Sequence, residues 1–181
     1  MKFLWEQFTN GEELSSAFTR MGGSLAALRR GMNVEPGALP ELWPYYTQLN
    51  DQGHLTRRLR SEHACLVTYG VHQQGQQSPV HREGSSFGEA LRALKRTERF
   101  SEDAVDRRVS QLATAQTFPE MTRHLTSLVS LMKATGQNIG FNYTYLFHDL
   151  IDLQSPSTAG RVRRRWGASY FAHRPTASKE G

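Results

Sequence analysis

Lysine is scarce in this 181-residue chain: 4 lysines stand against 18 arginines among its 22 basic residues. Cysteine is scarcer still. Cys65 is the sole one, which excludes an internal disulfide and any multi-cysteine zinc site. No apolar run reaches the length of a membrane span. The opening Met1-Lys2-Phe3-Leu4-Trp5-Glu6 lacks the long apolar core of a secretion signal, so a cytoplasmic protein is expected. There is no Gly-rich phosphate loop, no G-x-S-x-G and no H-E-x-x-H, and no alternating strand pattern to mount them on. Nothing positive supports catalysis. A non-catalytic protein without cofactor or metal is expected.

The histidines do not change that reading. His54, His63, His72 and His81 recur every nine residues. Nine residues make about 2.5 helical turns, so successive members point to opposite faces and cannot converge on one ion. His148 and Asp152 are four apart and share a helix face, which suits two metal ligands or a polar contact, but no third ligand accompanies them. His63 lies two residues from Cys65, and on a helix the two point apart.

What the chain does have is arginine. The formal charge is +5 and the pI near 9.7. Arginine favours planar, bidentate contact with phosphate and carboxylate, although a GC-rich genome also enriches it. The arginines cluster: Arg29-Arg30, Arg57-Arg58-Arg60, Arg92 with Lys95 and Arg96, Arg107-Arg108, Arg123, then Arg161, Arg163, Arg164 and Arg165. On a helix, Val162, Trp166, Ser169 and Tyr170 share one sector, while Arg161, Arg164 and Arg165 share the opposite one. Arg163 lies nearer the Tyr170 side. Stacked helices would bring several clusters onto one surface, a groove that tracks a phosphate backbone. Nothing reads as a base-recognition motif, so binding is expected to be largely sequence-independent. The alternatives are solvated faces partnered by the 17 acids, or a helical scaffold whose arginines bind acidic protein surfaces.

Helical signals fill the chain. Phe3 to Phe8 reads as a short helix ended by Asn10-Gly11, and Glu12 to Arg20 as a second, broken by Gly22-Gly23. Ser24 caps a helix to Arg30. Pro36, Pro40 and Pro44 bar a long helix in the next stretch, where Trp43, Tyr45 and Tyr46 are expected to wedge into the core. Helices are expected over Leu55–His72 and Phe87–Arg99, after Ser101, after the Thr117/Glu120 capping box, after Asn142, and from about Ser157 to Ala172. The expected fold is all-α, with two packed helical bundles. Residues 1–100 form the first and carry a mobile Gln-rich loop, about 73–86, too polar to pack. Residues 101–181 form the second, with a basic last helix and a tail that frays beyond Pro175.

Several segments taken in order carry a resemblance. They are Leu25-Ala26-Ala27-Leu28-Arg29-Arg30, Pro36-Gly37-Ala38 to Pro44-Tyr45, Glu62-His63, Gly88-Glu89-Ala90-Leu91, Arg107-Arg108, and Tyr143 to Leu150 followed by Val162 to Phe171. No single motif is diagnostic, but their order and spacing resemble the CasB family, the small subunit of the type I-E CRISPR surveillance complex called Cascade. The resemblance implies an all-α, non-enzymatic subunit. It implies two copies head to tail beside the backbone and large subunits, with crRNA and target DNA as partners. Its basic surface would hold the displaced non-target strand and stabilise the R-loop. Carried over by position, Arg29, Arg30, Arg123 and the run before Trp166 are the first candidates, and Arg60 the next. The chain departs from the family at Ala115-Gln116-Thr117, where members tend to have Ala-Asp-Arg, and at Glu89, a position often basic. Gly167 stands where Ala is usual.

Overall fold

Short polar side chains start the long helices by accepting first-turn amides. Thr56 accepts from Leu59 N at the head of α4, Arg57–Gln73. Ser86 and Glu89 form a reciprocal capping box on α5, Phe87–Arg96. Ser101 caps α6, Glu102–Thr114. Thr117 and Glu120 box α7, Phe118–Ala134, and Asn142 accepts two amides at the head of α8, Tyr143–Leu153. The last helix, α9, Pro156–Phe171, begins instead on proline, whose missing N–H costs nothing in a first turn. The computed structural model describes residues 1–21 and 23–172. The expected frayed tail beyond Pro175 and Gly22 of the expected Gly-Gly break lie outside them. The fold is all-α, as expected.

The first third is less regular. Helix α1, Leu4–Gln7, is followed by a hairpin, β1 (Thr9–Asn10) against β2 (Glu13–Leu14), with Thr9 opposite Leu14. The hairpin replaces the helix expected from Glu12; Gly11, at φ +62°, makes the turn. Helix α2, Ser16–Met21, and α3, Ser24–Arg30, follow, then 3-10 turns at Gly31–Asn33 and Pro40–Tyr45. The second turn corrects another expectation. Three residues per turn put Leu42 and Tyr45 on one side and Trp43 on another. Leu42 takes the core, while Trp43 is 52% exposed and donates its indole N–H to Gly37 O. Tyr46 is buried, as expected. Helix α5 stops at Arg96 rather than Arg99, because Glu98 turns left-handed, at φ 54°.

Helix α4 is the axis of the core, buried without interruption from Ser61 to Gly70. It packs against α3, α7 and α8, so packing crosses the expected boundary at residue 100. One buried cluster runs from Leu4 to Tyr170. Two glycines set helix spacing. A Cβ on Gly70 would lie 2.7 Å from Leu28 Cβ, and one on Gly88 2.7 Å from Ser169 Cβ and 2.8 Å from Trp166 O. Only hydrogen fits at either crossing, which brings α3 onto α4 and α5 onto α9.

The Gln-rich segment is a loop once Gln73 has ended α4, and its far end, Pro79 to His81, packs. Gln73 is fully buried; its Oε1 accepts from Val80 N and its Nε2 donates to Ser78 O. Val80 and Arg82 then pair with Phe141 through backbone bonds of 3.0 Å. Glutamine substitutes here for a missing ladder, so a polar composition does not leave the backbone unsatisfied.

Candidate nucleic-acid interface

The basic helix α9 is anchored as its periodicity predicts: Val162, Trp166 and Tyr170 are buried, while Arg161, Arg163, Arg164 and Arg165 are exposed. Their surroundings divide them. Arg165 pairs with Asp149 of α8, a side chain 9% exposed, and the neighbouring Trp166 indole donates to the same carboxylate at 2.6 Å. Burial pushes the Asp149 carboxyl above its ordinary range, against the pull of Trp166 and Arg165. Arg161 pairs with Asp152 at 2.9 Å. Asp152 therefore meets Arg161 across the α8–α9 contact, not His148 along its own helix. Arg163 and Arg164 make no ion pair or side-chain hydrogen bond among the described residues.

The same division runs through the other candidates. Arg30 grips Glu41 with two hydrogen bonds, at 2.9 and 2.6 Å. Lys95 holds Asp106 at 3.0 Å and Glu102 at 3.4 Å, and the Tyr170 hydroxyl donates to Asp106, which ties α5, α6 and α9 together. Arg92 reaches Ala172 O, and Arg108 reaches the Ser127 hydroxyl. Arg29, Arg60, Arg96, Arg107 and Arg123 have no such partner among the described residues.

Geometry brings some of the unpaired ones together. A cavity of about 720 Å³ between α4, α7 and the 3-10 turn at Gly31–Asn33 is lined by Arg60 and Arg123. A second, of about 520 Å³, is lined by Arg57, Arg60 and Arg163. Arg60 and Phe118 line both, so the two form one groove carrying four arginines. Arg29, Arg30, Arg107, Arg108, Arg161, Arg164 and Arg165 line neither cavity, and Arg92 and Arg96 share a separate one of about 310 Å³ with Glu89. Sequence reasoning missed Phe118 altogether and left Arg57 out of the candidates, although Arg57 opens the Arg57-Arg58-Arg60 cluster. Both sit at helix starts, where neighbouring chain segments converge.

The interior polar groups are spent inside the fold. Glu62 is fully buried and accepts from Thr47 N, the Thr47 hydroxyl and Gln48 N; burial pushes its carboxyl up. His63 donates from Nε2 to Gly31 O at 2.9 Å and accepts the Tyr46 hydroxyl on Nδ1. His72 bonds the Tyr143 hydroxyl, and His81 accepts Tyr143 N. Burial depresses all three, His72 to about 3. The nine-residue spacing thus serves three separate contacts, with His54 exposed. Cys65 is fully buried, and burial raises its thiol well above the ordinary range, which removes it as a nucleophile. Among the described residues no three His, Cys, Asp or Glu side chains are grouped to hold a metal, and no helix is long and apolar enough to cross a membrane.

The groove offers fixed positive charge and one aromatic edge. Unpaired guanidinium groups beside an aromatic ring are a chemistry that suits an extended polyanion. The sequence family described as CRISPR-associated protein Cse2 matches residues 24–171. The fold is similar to the crystal structure of CasB from Thermobifida fusca, with a TM-score of 0.65 and 26% sequence identity over 84% of this chain and 86% of that one. No curated protein matches the chain.

Proposed function

Because the chain belongs to the CRISPR-associated Cse2 family, also called CasB, we propose that it binds a displaced DNA strand as a Cascade small subunit. The strand is the non-target one, opened when guide RNA pairs with the target. Holding its backbone stabilises the R-loop. The observation that carries this reading is the groove where Arg57, Arg60, Arg123 and Arg163 converge, each without an ion-pair partner among the described residues. Unpaired arginines meet phosphate without first abandoning a carboxylate. The role is non-catalytic and takes no cofactor. Its partners are the backbone and large subunits, crRNA, target DNA and a second copy of the chain.

Salt dependence tests this reading on the full chain with single-stranded DNA. Four neutralised phosphates give log K against log salt a slope of roughly −3. Arg60→Ala with Arg123→Ala reduces that to about −1.5 and leaves the thermal midpoint unchanged, since neither side chain supports the core. Wild-type binding that is flat from low to physiological salt sinks the reading. If the double variant keeps its DNA affinity but no longer assembles with the other subunits, the groove is a protein interface.

A further inference from the structure

Phosphates need only the rim of the larger cavity, yet behind Arg60 and Arg123 it opens to about 720 Å³. Its walls are mainly apolar, with Met32 and Val34 on one side and Phe118 and Pro119 on the other. We propose that this cavity receives one nucleobase, turned in from the strand whose phosphates Arg60 and Arg123 hold. The proposal rests on the groove reading and adds a base subsite to it.

Three features favour a base. Charge is the first: two arginines against one acid, Glu35, line the cavity, which suits a polyanion at its mouth better than an uncharged apolar chain. The second is the state of the polar side chains on the walls. His63 has both ring nitrogens engaged, and the Thr122 hydroxyl donates to Phe118 O. They present ring face and methyl rather than open hydrogen-bonding groups. The Asn33 side chain makes no hydrogen bond among the described residues, which leaves it for a base edge. With the Asn33 amide and the Glu35 carboxylate as its open polar groups, a mainly apolar recess takes any base by stacking and reads none strictly.

The third feature is position. Phe118 lines both this cavity and the neighbouring one that holds Arg57 and Arg163. A strand running from Arg163 past Arg60 to Arg123 passes from one cavity to the other, and Phe118 lines both. Its phosphates are held outward by guanidinium groups, and its bases, unpaired in a single strand, have an aromatic face and a mainly apolar recess beside them. A double helix keeps its bases stacked and cannot fill the recess, so the subsite selects for single strands.

The test compares a short oligothymidylate with the same backbone made abasic throughout, each bound by the full chain at several salt concentrations. The abasic strand binds roughly tenfold more weakly, the scale of one stacked base, with the salt slope retained. Phe118→Ala brings the two strands within twofold. Val34→Phe fills the recess from the opposite wall, leaves Phe118 in place and does the same, so a folding defect in one variant does not decide the matter. Equal wild-type affinity for both strands, with a steep salt slope, overturns the base subsite and leaves the phosphate groove standing. So does a wild-type preference for bases that survives both variants. Binding of both strands that ignores salt overturns the groove and the subsite together. Base-indifferent binding with failed subunit assembly in Phe118→Ala assigns the recess to a protein side chain.

Discussion

Arg161 and Arg165 of α9 each face a carboxylate on α8, whereas Arg57 and Arg60 of α4 and Arg123 of α7 face none among the described residues. The first region is the densest run of positive charge in the chain. The second draws single arginines from distant segments. An incoming phosphate at Arg165 competes with Asp149, which stays bonded to Trp166; at Arg60 it competes only with water. The density of arginine along a sequence is therefore a poor measure of the charge a surface can offer. Carboxylates on a neighbouring helix can consume it, and only the tertiary contact shows where.

The largest expected effect breaks the packing of α5 against α9. Gly88→Val places methyl groups where Trp166 O and Ser169 Cβ already stand, so α5 and α9 must part. A cost of about 3 kcal/mol is expected, read as a lower midpoint in urea. If the groove carries DNA binding, the folded fraction loses at most the share of Arg163, the groove arginine on α9, and keeps that of Arg57, Arg60 and Arg123.

The next effect acts on α4, which supports the groove. His72 is held near 3 by burial, so below its ordinary value the unfolded chain takes up a proton that the folded one refuses. Stability falls as pH drops from about 6.5 toward 3, by about 2 kcal/mol at pH 5. Glu62 and Asp149 act in the opposite sense: burial raises both, so their folded forms bind protons earlier and are favoured as pH falls through the raised values. Comparing urea midpoints of wild type and His72→Gln at pH 7 and pH 5 separates the two. A pH response unchanged by the substitution contradicts the assignment.

A smaller loss follows Asp149→Ala. The buried Trp166 N–H loses its acceptor, at about 1.5 kcal/mol, and Arg165 is released. Thermal melting should show the loss while affinity for single-stranded DNA holds or rises. A fall in affinity as large as that of the Arg60/Arg123 variant would erase the distinction between the two regions. Smallest of all, Arg161→Ala removes an exposed ion pair, and its melting curve should shift by less than about 1 kcal/mol.

Much of the frame could be read from local chemistry. Thr117 with Glu120, Ser101 and Asn142 announce their helices because a cap and its amides lie within three residues. Val162, Trp166 and Tyr170 declare the buried side of α9 by period alone. The misreadings share a physical cause, a partner distant in sequence or a change of helical pitch. Gln73 looked like loop filler because Val80 and Ser78 satisfy it only once the chain bends back. Trp43 reads as core because it is large and aromatic, and a 3-10 turn rotates it outward. The groove was least legible. Arg60 and Arg123 are 63 positions apart, and no pattern marked Phe118 as a residue lining both cavities.

Gly70 lets α3 and α4 approach closely, with Leu28 Cβ only 2.7 Å from where its own Cβ would stand. Viewed as a constraint on inheritance, that contact and the exposed arginines obey different rules. A lineage can lose, gain or relocate a surface guanidinium by single steps, each nearly neutral to folding, and so retune its grip on DNA. At residue 70 any side chain drives the two helices apart. Positive charge is the part of this molecule free to drift, and the smallest amino acid is the part that is not.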